Sequence, residues 1–241
     1  MTTAETTVRD IALENPAAIR VFEKFGIDYC CGGRKPLAQA CDERSLETAA
    51  VLAAIEATAT PAKASAPNWN TAPLGDLCQY IVKTHHDYVR AEIPRLQFFA
   101  EKVLARHGDT HPELARIREL TDTISEEMTQ HQGKEEVVLF PYITKLERNI
   151  ATCGPPSLGC FGTVKNPVRM MMAEHDAAGA IMAEVRELSH NYTAPEGACP
   201  TYRGFYQSLS DFERDLHQHV HLENNILFPR AIELEESCGL G

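Results

Sequence analysis

Two copies of one short motif carry the residues of this chain that could do metal chemistry. The segment HQGKEEVVLFP at 131–141 returns as HVHLENNILFP at 219–229, with His, Glu, Leu, Phe and Pro at the same offsets. A His-Asp pair lies 45 residues before the first copy and 44 before the second. The repeated residues that could bind metal are His86, His131, Glu135, His175, His219 and Glu223. Nitrogen and oxygen ligands without thiolate favour iron or manganese, so the set predicts a site for a pair of metal ions.

The spacing of these residues predicts that they lie in one layer of a helical bundle. Each His-x3-Glu pair spans about one helical turn, which puts both side chains on one face. In an antiparallel hairpin, residues equally far from the turn lie at one level. The midpoints of successive pairs fall near residues 108, 155 and 197, inside the Gly- and Pro-containing segments 107–112, 153–160 and 193–200. Two carboxylates at matched depth could then each bridge two cations.

An alternative is that the repeat is a remnant of gene duplication with a purely structural role. Burying two carboxylates and four imidazoles without a cation would be costly, which favours the metal site. The Glu-x-x-His motif of ferritin-like carboxylate bundles is absent. The positions three before the histidines are Lys83, Met128, Met172 and Leu216.

Long amphipathic helices must position these residues. Apolar residues recur at a helical period over 73–106, 111–148, 166–190 and 200–236. Short connections between such helices predict an all-α fold, an up-down-up-down four-helix bundle. Pro94, Pro141 and Pro229 are expected to bend their helices. The predicted domains are a small helical unit at 1–57, an Ala/Pro/Ser-rich linker at 58–72 and the bundle at 73–241.

The small unit holds a second candidate site, the double cysteine of GIDYCCGGRKP. One helix is predicted from Pro16 to just before Gly26, and another with Ser45 as its N-cap. Between them, Cys30 and Cys31 stand close to two cations and a helix start, so we expect their thiols to ionise readily. Such a pair could handle iron, contact a client protein or sense redox state. The alternative is two small hydrophobic residues in a turn.

Bulk composition excludes several functions. The net charge of −11 argues against a nucleic-acid surface, and no apolar run is long enough to span a membrane. The N-terminus does not read as a signal peptide, so the expected location is the cytoplasm. Eight cysteines without a CxxC pair are read as free thiols rather than a zinc knuckle. The sequence predicts no role for the loop that carries Cys153 and Cys160.

These motifs resemble two known families. The order of single His, His-x3-Glu, single His and His with a downstream acid in 73–241 resembles the hemerythrin-like di-iron domain. The segment DYCCGG at 28–33 resembles the signature of the iron–sulfur cluster repair di-iron family, the RIC proteins. Together the two resemblances cover nearly the whole chain. They imply two iron ions per chain in an oxo-bridged centre.

The resemblance also assigns roles to residues. It implies terminal ligands at His86, His131, His175 and His219 and bridging carboxylates at Glu135 and Glu223. His86 is preferred to His85 because the family histidine precedes Asp and lies eight residues before the helical proline. Glu127 and Glu174 are expected to stand behind the ligands or to guide iron out. The alternative for both is a solvated helix face.

The function implied by the resemblance is repair of iron–sulfur clusters damaged by nitrosative or oxidative stress. Iron from a labile centre would be donated to damaged iron–sulfur proteins, which are the expected clients. Two alternatives stay open: an enzyme that reduces nitric oxide to nitrous oxide at the same centre, and a sensor of nitric oxide or oxygen. Neither nucleic acid nor membrane is expected as a partner, and a homodimer is left open.

Overall fold

The computed structural model describes residues 2–58, 67–151 and 161–237. Most of the predicted linker and the loop with Cys153 and Cys160 lie outside these ranges. The described residues form helices, with one isolated bridge between Thr7 and Pro36, which confirms the all-α class. No helix in these ranges combines the length and apolar character that crossing a membrane requires.

The N-terminal unit is built from short helices around its own core. They are α1 (Val8–Glu14), a 3₁₀ turn (Pro16–Ala18), α2 (Ile19–Phe25), α3 (Leu37–Asp42) and α4 (Thr48–Ala57). Gly26, at φ +65°, ends α2 as expected. The prediction that Ser45 caps α4 is wrong. Ser45 adopts φ +53° and ends α3 instead, because the Leu46 N–H bonds back to the Cys41 carbonyl.

Four long helical rods form the bundle, and the predicted up-down-up-down topology is confirmed. The rods contain α5 (Leu74–Ile81) with α6 (Asp87–His107), α7 (Glu113–Lys134) with α8 (Phe140–Ala151), α9 (Lys165–Leu188), and α10 (Pro200–Leu222) with α11 (Phe228–Ser237). Helix α6 packs on α7 and α10, and α9 packs on α7 and α10. Each rod therefore has two neighbours around a shared interior.

Three of the rods contain a π-helical turn, and all three turns hold candidate ligands. The turns are Val82–His86, Glu135–Leu139 and Glu223–Leu227. Two of them end just before Pro141 and Pro229. A proline has no N–H and its ring collides with the carbonyl four residues earlier, so a locally wider turn accommodates it. Pro94 lies inside α6, and the irregular turn of that rod lies earlier, at Val82–His86.

The candidate ligands form a polar layer between two apolar clusters. On one side lies a cluster that includes Val89, Met128, Ala178, Leu216 and Val220. On the other side lies a cluster that includes Ile81, Leu139, Met171, Leu227 and Phe228. Apolar packing above and below shields the layer from bulk solvent, which strengthens the electrostatic interactions inside it.

Candidate metal centre

The structure brings all six repeated residues into this one layer. Each side chain is at most 2% exposed: His86, His131, Glu135, His175, His219 and Glu223. The rod of α5 and α6 supplies His86, and the rod of α7 and α8 supplies His131 and Glu135. Helix α9 supplies His175, and the rod of α10 and α11 supplies His219 and Glu223. Each half of the duplicated sequence therefore contributes half of the site.

The Nε2 atoms pair up in a way that suggests two candidate ion positions. His86 Nε2 lies 3.2 Å from His219 Nε2, and His131 Nε2 lies 3.0 Å from His175 Nε2. We call the first pair position one and the second pair position two. Each position takes one histidine from each half of the sequence. Nitrogen atoms this close, aimed at a common point, are arranged to share a cation.

Both carboxylates belong to both positions. Glu135 Oε2 lies 3.3 Å from Nε2 of His86 and 3.3 Å from Nε2 of His131. Glu223 places Oε1 2.9 Å from His219 Nε2 and Oε2 3.1 Å from His175 Nε2. In both four-residue groups the donor atoms lie within 4.8 Å of one another. Each carboxylate therefore lies within reach of both candidate ion positions.

The donor set fits a pair of cations. Both oxygens of Glu135 and Oε2 of Glu223 are buried without a hydrogen-bond partner in the described structure. Leaving buried carboxylate oxygens unpaired is costly unless a cation satisfies them. Imidazole and carboxylate without thiolate suit iron or manganese. Both the residue types and the buried oxygens that lack hydrogen-bond partners therefore fit a pair of cations.

In this layer the imidazoles and carboxylates shift one another's pKa values. Burial and the Glu223 carboxylate oppose ionisation of Glu135, but His131 and His86 outweigh them and hold the pKa of Glu135 below its ordinary value. Burial likewise opposes the charge on His131, yet Glu135 raises the pKa of His131 to about 9. A metal ion must therefore displace a proton from His131.

Outer hydrogen bonds fix three of the four histidines. His86 Nδ1 lies 2.7 Å from Glu136 Oε1, His131 Nδ1 2.8 Å from Glu174 Oε2, and His175 Nδ1 2.9 Å from Asn224 Oδ1. An acceptor at Nδ1 sets the tautomer whose Nε2 lone pair faces the metal. Among the described residues, His219 Nδ1 has no hydrogen-bond partner. Glu136 and Asn224 were not singled out from the sequence, although each directly follows a bridging glutamate.

Glu127 and Glu174 differ in their surroundings. Glu174 is about one-third exposed and bonds to Lys134 as well as to His131. It therefore stands behind the candidate ligand His131. Glu127 is exposed on α7, and within the described residues it forms no hydrogen bond or ion pair with a candidate ligand.

The double cysteine lies where the N-terminal unit meets the bundle. The Asp28 carboxylate accepts the N–H groups of Cys30, Cys31 and Gly32 at 2.9, 3.1 and 2.9 Å. Cys30 Sγ lies 3.8 Å from Cys31 Sγ and donates to Asp28 at 3.3 Å. The neighbouring Cys31 thiol, burial and the Asp28 charge raise the pKa of Cys30, so its expected ready ionisation is wrong. Lys35 is paired with Glu43 instead.

A cavity of about 950 Å³ connects this loop with the metal layer. Its lining includes Cys30, Cys31, His175, Asp176 and His217. One candidate ligand, His175, therefore borders both the ion layer and the cavity. The thiols stand on the wall of the same space.

Comparisons with known proteins agree with these features. Residues 79–231 match the family described as "Hemerythrin HHE cation binding domain", and residues 4–59 match ScdA_N, described as "Domain of Unknown function (DUF542)". The chain is 37% identical to "Iron-sulfur cluster repair protein YtfE" of Yersinia pseudotuberculosis serotype O:1b, over 93% of this chain and 96% of the relative. The protein of the same name from Yersinia pestis (strain Pestoides F) is 36% identical with the same coverage.

Proposed function

The chain belongs to the YtfE family of iron–sulfur cluster repair proteins, and from this premise we propose that it repairs damaged clusters with iron held in its bundle. Two iron ions occupy positions one and two and share an oxo bridge. Nitrosative or oxidative stress creates the damage, and the iron–sulfur proteins of the cytoplasm are the clients. Iron is both the metal ion that the site binds and the cargo that the reaction delivers.

One observation carries the proposal: two candidate ion positions share two buried carboxylates, and three of their four oxygens have no hydrogen-bond partner within the described residues. We assign the four histidines as terminal ligands and Glu135 and Glu223 as bridges. Four neutral imidazoles and two carboxylates place fewer negative charges on the ions than a carboxylate-rich cage does. A site of this composition is suited to giving its iron up.

The residues behind the ligands control how firmly the ions are held. Glu136 and Glu174 keep the imidazoles of His86 and His131 oriented, and both carboxylates reach the surface, at 30% and 32% exposure. Arg90 binds Glu136 and Lys134 binds Glu174, so each carboxylate is shared between a ligand and a surface cation. If Arg90 or Lys134 moves, the hydrogen bond between its carboxylate and the histidine ligand changes in strength, while the buried core stays as it is.

The reconstituted reaction tests the proposal. Protein loaded anaerobically with ⁵⁷Fe is mixed with an iron–sulfur protein whose cluster has been damaged by nitric oxide. We expect the client's activity to recover and its rebuilt cluster to contain ⁵⁷Fe. Glu135→Ala should abolish both effects, while Glu127→Ala, an exposed glutamate on α7, should leave them intact. Equal recovery with Glu135→Ala, or with the same amount of free iron, would refute the donor role.

A second candidate is the reduction of nitric oxide, which the cavity favours. That cavity joins the thiols of Cys30 and Cys31 to His175, so a small neutral molecule has room beside position two. Two ferrous ions can supply the two electrons that convert two nitric oxide molecules and two protons to nitrous oxide and water. Anaerobic turnover with gas analysis separates the candidates, because an iron donor without this activity produces no nitrous oxide.

A further inference from the structure

The two ion positions differ in the groups that stand behind their ligands. Position two has one carboxylate, Glu174, behind His131, and one neutral amide, Asn224, behind His175. Position one has the carboxylate of Glu136 behind His86. Its second histidine, His219, is fully buried, and no side chain in the described part of the chain forms a hydrogen bond with its Nδ1.

A buried acceptor without a partner lies one turn away from this histidine. Asp215 stands four residues before His219 on α10, on the same face of the helix. Oδ1 of Asp215 bonds to His85 Nδ1 at 2.9 Å, whereas Oδ2 is buried and unpaired. One helix therefore carries an unpaired donor and an unpaired acceptor on consecutive turns of one face.

His85 ties these two residues into one cluster. Its ring is 2% exposed and stacks on the ring of His219, with centroids 5.5 Å apart and planes inclined by 4°. The same ring holds Asp215 through Nδ1. In the other half of the sequence, the residue that matches His85 is Glu174, which bonds directly to Nδ1 of His131. His85 thus stands beside His219 as Glu174 stands beside His131. Instead of accepting a hydrogen bond from His219, it holds the carboxylate of Asp215 on α10.

We propose that Asp215 is the outer acceptor of His219, bonded to its Nδ1–H through one water molecule. A single water can satisfy two such buried groups. Position one is then backed by two carboxylates, and position two by a carboxylate and an amide. An acceptor carrying full charge strengthens the hydrogen bond and makes the imidazole a better donor to the metal. The ion at position one is the firmly held ion, and the ion at position two is released first.

The cavity supports the same order of release. His175, a ligand of position two, lines the space of about 950 Å³ beneath the N-terminal unit. His86 and His219, the ligands of position one, are fully buried. The position with the weaker outer acceptors is thus also the one next to open space. This inference rests on the proposed binding of two irons and adds which of them is the exchangeable one.

Iron release resolved in time tests the inference. Protein loaded anaerobically with two Fe²⁺ is mixed with excess of a coloured ferrous chelator, and absorbance is followed. We expect two phases of one iron each. Asp215→Asn should speed the slow phase about tenfold or more, the scale on which outer partners act. Asn224→Asp, which adds a carboxylate behind His175, should slow the fast phase by a similar factor.

The matched control is Asp211→Asn, one turn earlier on the same helix. Asp211 is paired at the surface with Arg214, so both phases should keep their wild-type rates. Mössbauer spectra of the ⁵⁷Fe-loaded variants give a second readout, since Asp215→Asn should shift only the component of one iron. A merely structural effect would move both components together.

The outcomes separate this inference from the function on which it rests. A chain that binds fewer than two irons overturns both. Two bound irons that leave in one phase, or an Asp215→Asn protein whose slow phase is unchanged, overturn the inference alone. If Asp215→Asn does not fold, Asn224→Asp tests the inference instead. A fast phase that keeps its wild-type rate in Asn224→Asp would overturn the inference.

Discussion

The two copies of the repeated motif share their candidate ligands and differ in the residues that directly follow the glutamate. Each copy has a histidine, a bridging glutamate, a π-helical turn and a Phe-Pro pair at matching positions. After the glutamate the copies diverge: Glu136 and Val137 stand in the first, Asn224 and Asn225 in the second. Val137 is 77% exposed, whereas Asn225 is 6% exposed. The two copies thus keep the same candidate ligands, while the residues after each glutamate lie in different surroundings.

The difference shows how the second copy holds the N-terminal unit. Pro229 has no N–H to offer the Asn225 carbonyl, and that carbonyl accepts a hydrogen bond from Arg9 at 3.2 Å. The Asn225 side chain donates to the Tyr29 carbonyl at 3.0 Å, next to the double cysteine. A backbone group released by the π turn therefore becomes part of an interface. At the matching place in the first copy, the Val137 side chain is open to solvent.

The largest expected effect comes from removing what the two copies share. If each glutamate serves both proposed ion positions, Glu135→Ala or Glu223→Ala should lower iron content from two per chain to below one. His86→Ala removes a ligand of position one alone and should leave about one. The loss of affinity should exceed the roughly 10–100-fold that an outer partner is worth. Iron analysis after gel filtration measures the difference; equal losses in all three variants would contradict sharing.

A change that makes the first copy like the second should have a smaller effect at one position. Glu136→Gln keeps an acceptor for His86 but removes the charge that Arg90 also binds. We expect iron binding at position one to weaken about tenfold, at the lower end of the range for outer partners. Competition with a calibrated chelator gives the two affinities separately. Glu127→Gln serves as the exposed control, and a loss at position two would break the assignment.

The contrast between Asn225 and Val137 predicts a difference in stability. Asn225→Ala leaves the buried Tyr29 carbonyl without its donor, which should cost about 1–3 kcal/mol. Val137→Ala removes an exposed side chain and should change the free energy of unfolding by no more than about 0.5 kcal/mol. Urea unfolding of both variants measures these values. Equal costs would mean that the two copies do not differ in their contact with the N-terminal unit.

Metal-free protein should show a pH dependence that follows from His131. The pKa of His131 is about 9, above its unfolded value of about 6.5. The stability gained from its charge is therefore fully present below pH 6.5 and is lost as pH rises through about 9. His131→Gln should flatten this decline in urea unfolding between pH 6.5 and 9. A decline that persists unchanged in the variant would place its origin elsewhere.

Sequence spacing predicts the bundle and the single layer of six residues because hairpin geometry follows from distance to a turn. It could not reveal all the acceptors behind the histidines, since Glu136 and Asn224 reach across to histidines on neighbouring rods. The π turns were also missed. They insert one residue into a periodic pattern, and only Pro141 and Pro229 hint at them.

The double cysteine shows why local sequence can mislead about charge. Arg34 and Lys35 are close to the thiols along the chain, which suggests easy ionisation. In the fold Lys35 is paired with Glu43, and the Cys30 thiol donates a hydrogen bond to the Asp28 carboxylate at 3.3 Å. The direction of the pKa shift depends on which charge the turn brings within contact, and nearness in sequence does not determine that.

Mössbauer spectroscopy of anaerobically purified, ⁵⁷Fe-loaded protein tests most directly whether the two copies build one centre. If Glu135 and Glu223 bridge the ions, the oxidised protein should contain two irons per chain that are magnetically coupled. At liquid-helium temperature such a pair gives no paramagnetic splitting. One iron per chain, or two irons that behave as isolated ions, would contradict a shared centre.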